Sequence, residues 1–446
     1  YREQCRLPKG SLMRKGIFAA AVLSLSMLTS CSMAGSAENL LMPPMLSAEQ
    51  SDIYAALKKE LGSDFKLKYP KSGDYRSAFI VENIDDEPGD EALVIYERPG
   101  GELVRINVLD KDENGEWHSV YDHAGAGTEI EGVKICRIGG SSDMNILVGY
   151  NTVNLKEKLL KAYVYRGGVL VNTYDDSYFT AEVMDLDGDG LNEIELISEH
   201  TDTKPASVKM ITFDSDGLLY AANSISLDSG SSEIYSISKG YVAGGRPALF
   251  IDSVRGNQGL STEIIYCIDG ELRNPIALSD ETMKATLHPK GYSPVDADGD
   301  GITEIPTVSP FPGYENVSQG SEVINITTWN MFENYRIVPK SAGFYNRGDG
   351  YCFMIPARWE GVVTVKADNL TDEYVFCRYG GSLEASDTEL MRIAAVDSVN
   401  EESYLDNGYF TVKAGGGKCY MIKIIENQFE PLVPTEAEVL SSFYLI

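Results

Sequence analysis

A nine-residue acidic loop occurs twice in this chain, as Asp185-Leu186-Asp187-Gly188-Asp189-Gly190-Leu191-Asn192-Glu193 and as Asp296-Ala297-Asp298-Gly299-Asp300-Gly301-Ile302-Thr303-Glu304. Each copy joins one apolar run to another, so each fixes a reversal between two candidate strands. Carboxylates at positions 1, 3, 5 and 9, with glycine at 4 and 6, can fold their oxygens inward around one hard cation, and calcium suits such a set. An EF-hand places its last acid at position 12, where this chain has Leu196 and Thr307. The same residues also make a plain turn without metal, because Asp-Gly pairs reverse a chain readily.

The loops belong to a longer repeat. Phe79 to Tyr96, Val133 to Tyr150, Ala181 to Ile197, Tyr241 to Val254 and Tyr292 to Val308 each read as a strand, a tight loop and a buried strand. A hairpin follows the first four: Val104 to Tyr121 turning at Asn114-Gly115, Lys158 to Tyr174 at Gly167-Gly168, Val208 to Ala222 at Asp216-Gly217, and Ile264 to Ile276 at Asp269-Gly270. A weaker fifth pair runs from Val323 to Tyr345. Four strands per unit at a period of roughly fifty residues describe propeller blades, each of which needs a neighbour to cover its apolar face. The expected fold is mainly β: a β-propeller of five to seven four-stranded blades over 65–345, then a small α+β domain over 346–446.

Asp-x-Asp-Gly-Asp-Gly-x-x-Glu running directly into a strand resembles the calcium loops of FG-GAP/VCBS-type β-propeller repeats. That resemblance implies a structural calcium held by Asp185, Asp187, Asp189 and Glu193, and another by Asp296, Asp298, Asp300 and Glu304. The first unit keeps oxygen ligands at Asn83, Asp85, Glu87 and Glu91 but has Pro88 where the turn wants glycine. Proline cannot take a positive φ, so this is the weaker metal loop. Gly139 to Asp143 and Gly244 to Pro247 have lost the carboxylates and are expected to turn without metal. Asp110 to Gly115 has His118 at its ninth position and reads as a hairpin tip.

Upstream, Met13-Arg14-Lys15 and the apolar run Ile17 to Leu28 read as an export signal, the run being too short for a stable membrane span. Leu28-Thr29-Ser30-Cys31 resembles a bacterial lipobox, which implies lipidation of Cys31, a mature chain beginning there, and anchoring at the bacterial cell surface. Residues 1–12 are expected to precede the true start at Met13. Residues 32–64 read as a tether followed by a docking helix, opened by the capping box Ser47 to Gln50 and carrying Ile53, Leu57 and Leu61 on one face. The other late cysteines, Cys136, Cys267, Cys352, Cys377 and Cys419, are odd in number and lie in strand-like runs, so buried free thiols are expected.

A net charge of -29 with no offsetting basic patch argues against nucleic acid, and no nucleotide-binding loop is present. Nucleophile chemistry finds little support, since His118, His123, His200 and His288 carry no local signature. Ser236-Ile237-Ser238-Lys239 is similar to the Ser-x-x-Lys of penicillin-binding proteins and serine β-lactamases, but it leads into a strand where that family starts a helix. Two functions remain. One is a lipid-anchored binding or scaffold module presenting loops to a protein or glycan. The alternative is an extracellular polysaccharide hydrolase or lyase, for which the 67 Asp and Glu residues supply carboxylates but no motif.

Overall fold

A computed structural model describes residues 46–446 except 86, 153–157, 215–217, 316, 318–321 and 430. Cys31 and the export segment lie outside the described residues. Six antiparallel sheets follow one another along the chain. The first holds β1 (Lys66–Leu67), β2 (Phe79–Glu82), β3 (Glu91–Glu97), β4 (Arg105–Lys111) and β5 (Trp117–Ala124), with β1 and β2 both on β3. The second is the meander β6 (Glu129–Cys136), β7 (Asn145–Asn151), β8 (Lys158–Arg166) and β9 (Val169–Tyr178). The third is β10 (Thr180–Met184), β11 (Glu193–Ser198), β12 (Ser207–Phe213) and β13 (Leu219–Ser226). The fourth is β14 (Glu233–Val242), β15 (Arg246–Val254), β16 (Leu260–Ile268) and β17 (Glu271–Arg273), with β18 (Leu287–His288) beside β16.

The fifth sheet runs β19 (Ile305–Pro310), β20 (Asn325–Glu333), β21 (Arg336–Asn346), β22 (Tyr351–Met354) and, from the far end of the chain, β28 (Phe443–Leu445). The sixth contains β23 (Val363–Asp368), β24 (Glu373–Arg378), β25 (Glu389–Asp397), β26 (Phe410–Gly415) and β27 (Lys418–Ile424), with β27 inserted between β25 and β26. Because β22 pairs with β21 and β28 pairs with β22, the segment after 346 shares a sheet with the repeats before it.

Turn chemistry explains the hairpins. Gly167 and Gly168 take φ of 59° and 80°, and Asp269 and Gly270 take 53° and 76°, the pair of positive values that a two-residue reversal between twisted strands requires. Asp112 Oδ1 accepts from the amides of Asn114 and Glu116 at 2.8 and 3.0 Å, closing the expected hairpin tip between β4 and β5. The turn expected at Asp216-Gly217 lies outside the described residues.

Apolar packing runs from each sheet to the next. Ile95 and Val104 meet Val148 and Tyr150; Leu147 and Leu160 meet Ile194 and Ile211; Val208 and Met210 meet Leu249 and Ile265; Phe250 and Tyr266 meet Ile305 and Phe332. The fifth and sixth sheets share a core of Phe344, Tyr351, Phe353, Trp359 and Phe376. Alternation along a strand sends successive side chains to opposite faces, so each middle sheet is apolar on both. At the front of the array α1 (Ala48–Leu61) lays Ile53 and Leu57, both fully buried, on Phe79, Val94 and Leu109. Its expected capping box is present, Ser47 Oγ accepting from Gln50 N at 3.1 Å. Among the described residues no core cluster joins the first sheet to the fifth or sixth. The outer face of the first sheet is covered by α1, the helix expected to dock there.

One repeated feature lies in the strand pairs β4–β5, β8–β9, β12–β13 and β20–β21. Register slips between Val108 and Leu109, between Ala162 and Tyr163, between Met210 and Ile211, and between Trp329 and Asn330. The extra residue is Val120 on β5, Thr173 on β9, Ala222 on β13 and Lys340 on β21. Each is a β-bulge, which re-aims the bulged side chain. The slip adjoins the residue paired with the start of the second strand: Ala92 with Leu109, Ile146 with Tyr163, Ile194 with Ile211, Ile305 with Asn330. These four bulged residues thus hold equivalent places relative to the loop that ends at the preceding position, Glu91, Asn145, Glu193 or Glu304.

Candidate metal centre

Both acidic loops fold on the same frame, and their own side chains build it. Asp185 Oδ1 accepts from Gly188 N at 2.7 Å and its Oδ2 from Gly190 N at 2.9 Å; Asp296 does the same with Gly299 and Gly301 at 2.7 and 2.9 Å. Those amides point inward only because Gly188, Gly190, Gly299 and Gly301 adopt φ of 78–90°, where a side chain would be strained. The ninth residue closes the loop from the other side. Glu193 Oε2 accepts from Leu186 N at 3.0 Å and Glu304 Oε2 from Ala297 N at 2.8 Å.

Asp185, Asp187 and Glu193 bring one oxygen each within 4.8 Å of one another, and Asp296, Asp298 and Asp300 do likewise. Both groups are oxygen-only and close enough to share one metal ion. Asp189 and Glu304 stand outside these tightest groups, Asp189 Oδ1 being turned to Leu191 N at 2.8 Å. In the first unit Glu91 Oε2 reproduces the closing bond, to Ile84 N at 2.9 Å, but Asn83 donates its Nδ2 to Glu87 O at 2.6 Å. Asn83, Asp85, Glu87 and Glu91 are not gathered as the two glycine-bearing loops are. The second unit has a buried Asn145 at the ninth position.

Electrostatics separate the two loops. Glu193 is 2% exposed, and burial, added to by the neighbouring Asp187 and Asp189 charges, pushes its pKa up to about 7. Asp187 is likewise raised by burial and the adjacent aspartates. Among the described residues, no lysine or arginine pairs with Asp185, Asp187, Asp189 or Glu193. In the second loop Lys340 Nζ stands 2.9 Å from Asp298 Oδ1, 2.7 Å from Asp300 Oδ2 and 2.7 Å from Glu304 Oε1. Asp300 is lowered by its hydrogen bond to Lys340, and although burial raises Glu304, the ammonium opposes that rise. The first loop's donor set thus fits a hard cation with charge to spare, whereas the second already has a cation on its acids.

Lys340 was not legible as part of a site, since it lies on β21, 36 residues from Glu304. A second residue outside the motif is Glu195, fully buried beside Glu193, with neither carboxylate oxygen hydrogen-bonded and its pKa driven far up by burial. Its signal is the spacing Glu193-Ile194-Glu195, which puts both acids on one face of a strand.

Ser236 and Lys239 lie on β14, Ser236 Oγ donating to Asp252 Oδ2 at 2.8 Å and Lys239 pairing with Glu182 at 2.9 Å. His288 is 2% exposed, its Nε2 3.1 Å from Thr262 Oγ1 and 3.3 Å from Asp252 Oδ1. Ser236 therefore contacts the acid and not the imidazole, and the group forms a buried polar network between strands. The five late cysteines are free, four of them buried and Cys136 partly so.

No family model matches this chain, and no curated protein matches it. Among solved structures, the crystal structure of an exotype rhamnogalacturonan lyase, YesX, aligns over 72% of this chain and 72% of that chain at 11% identity with a TM-score of 0.30. A likeness that weak carries no argument about fold or substrate.

Proposed function

We propose that this chain is an exported bacterial lipoprotein, held at the cell surface by lipid on Cys31, whose blade-like sheets form a propeller-type array stiffened by calcium and serve as a binding or scaffold module for a protein or glycan. The observation that carries the calcium part is the 185–193 loop, where Asp185, Asp187 and Glu193 converge with no counter-charge among the described residues and Glu193 is buried. Leaving such a cluster ionised and unpaired is costly, and a divalent ion relieves it. The loop joins β10 to β11, so an ion there ties the first two strands of the third sheet together. Its role is structural, as the groups around it are carboxylates and backbone amides already committed to shaping the turn. Ion binding to the folded state alone stabilises by about 2.7 kcal/mol at a hundred times Kd.

Two measurements test this reading. Melting of the purified protein in EDTA and in millimolar calcium is expected to differ by several degrees, and Asp187→Asn is expected to abolish the difference; coincident melts for the unsubstituted protein would end the calcium assignment. Expressed in a bacterial host, the full chain is expected to incorporate labelled palmitate and sediment with membranes, and Cys31→Ser to do neither. Label retained by Cys31→Ser would end the anchoring assignment.

A further inference from the structure

We infer that Lys340 is the resident cation of the second acidic loop and keeps calcium out of it, so that the residue at the repeated β-bulge decides which loop takes metal. Lys340 Nζ has three donors, and three carboxylate oxygens of the loop, on Asp298, Asp300 and Glu304, meet it at 2.7–2.9 Å. Its side chain is only 18% exposed, and the Glu304 carboxylate beneath it is fully buried. Calcium needs six to eight oxygens at about 2.3–2.6 Å, drawn from these same groups, so the ion and the ammonium exclude each other. Being tethered to β21, the ammonium does not dilute away, and it competes at a high effective concentration.

The two loops share the sequence pattern, the Asp-to-glycine hydrogen bonds and the closing glutamate, although the three acids drawn closest are Asp185, Asp187 and Glu193 in one and Asp296, Asp298 and Asp300 in the other. The difference in charge lies at the equivalent bulged residue. It is Lys340 in the fifth sheet and Ala222 in the third, and a methyl group brings no charge to the acids of 185–193. Val120 and Thr173 at the same place in the first two sheets carry no charge either, and there the loops beneath have lost the full acid set.

The prediction of one calcium per chain rests on the calcium reading of the 185–193 loop; the exclusion by Lys340 does not. Calorimetric titration of the purified full-length protein and its variants with calcium chloride separates them. The expected result is one equivalent bound by the unsubstituted protein, one by Asp298→Asn, none by Asp187→Asn, and two by Lys340→Met. Ala222→Lys, which leaves the second loop untouched, is expected to bind none while retaining its melting transition. Two equivalents in the unsubstituted protein would overturn the inference, as would unchanged binding in both Lys340→Met and Ala222→Lys. No binding by the unsubstituted protein with one equivalent gained in Lys340→Met would instead refute calcium at the first loop and support the lysine.

Discussion

Replacing Glu193 with glutamine tests the electrostatics of the first loop directly. Burial raises this carboxyl from its ordinary value of 4.5 to about 7. A raised acid binds more protons in the folded state than in the unfolded one between those two values, so stability falls as pH rises through that interval and stays low above it. At about 1.4 kcal/mol per pKa unit the ceiling is roughly 3 kcal/mol, and because water reaches the exposed rim at Asp187 and Asp189 the working figure is nearer 2 kcal/mol. Urea unfolding at pH 5, 6, 7 and 8 in EDTA measures it.

Other acids titrate in the same window, Glu91 being raised to about 6 and Glu263 to about 7 by burial, so the quantity that isolates Glu193 is the difference between the unsubstituted protein and Glu193→Gln. Glutamine keeps the shape and the acceptor for Leu186 N but never ionises. That difference is expected to shift by about 2 kcal/mol against the unsubstituted protein from pH 5 to 8 in EDTA. Saturating calcium is expected to reverse its sign above pH 7, because only the carboxylate is a good ligand. A difference independent of pH in EDTA would refute the argument that Glu193 is buried without a counter-charge.

Two further substitutions probe how the array ends. Leu57→Ala is expected to cost about 2–5 kcal/mol in urea unfolding, because it opens a cavity where α1 covers the first sheet; a cost well under 1 kcal/mol would mean that α1 is not the end cover. In the sixth sheet Arg392 Nη1 holds Glu373 at 2.8 Å and Asp368 at 3.2 Å while Nη2 holds Glu389 at 2.5 Å, and the Glu373 side chain is only 4% exposed. Arg392→Met strands that buried charge and is expected to cost about 3–5 kcal/mol at pH 7.

Much of the backbone was legible in the sequence because its causes are local. Alternating apolar runs, Gly167-Gly168 and Asp269-Gly270 turns, the capping box at Ser47, and the glycines of the two acidic loops each act within a few residues, and the structure has strands, hairpins and a helix start where those signals stand. The acid sets were legible for the same reason, since one short turn gathers Asp185, Asp187 and Glu193. What covers a face, and what charge meets a loop, depends on register between strands far apart in the chain. The bulge that aims Lys340 at Asp298, Asp300 and Glu304 is a property of how β21 pairs with β20, and the same slip puts an uncharged alanine, Ala222, at the equivalent place in the third sheet. Sequence could thus write two equal acidic loops, while tertiary pairing made them unequal, because a carboxylate's neighbours across a sheet are set by strand alignment and not by the motif that contains it.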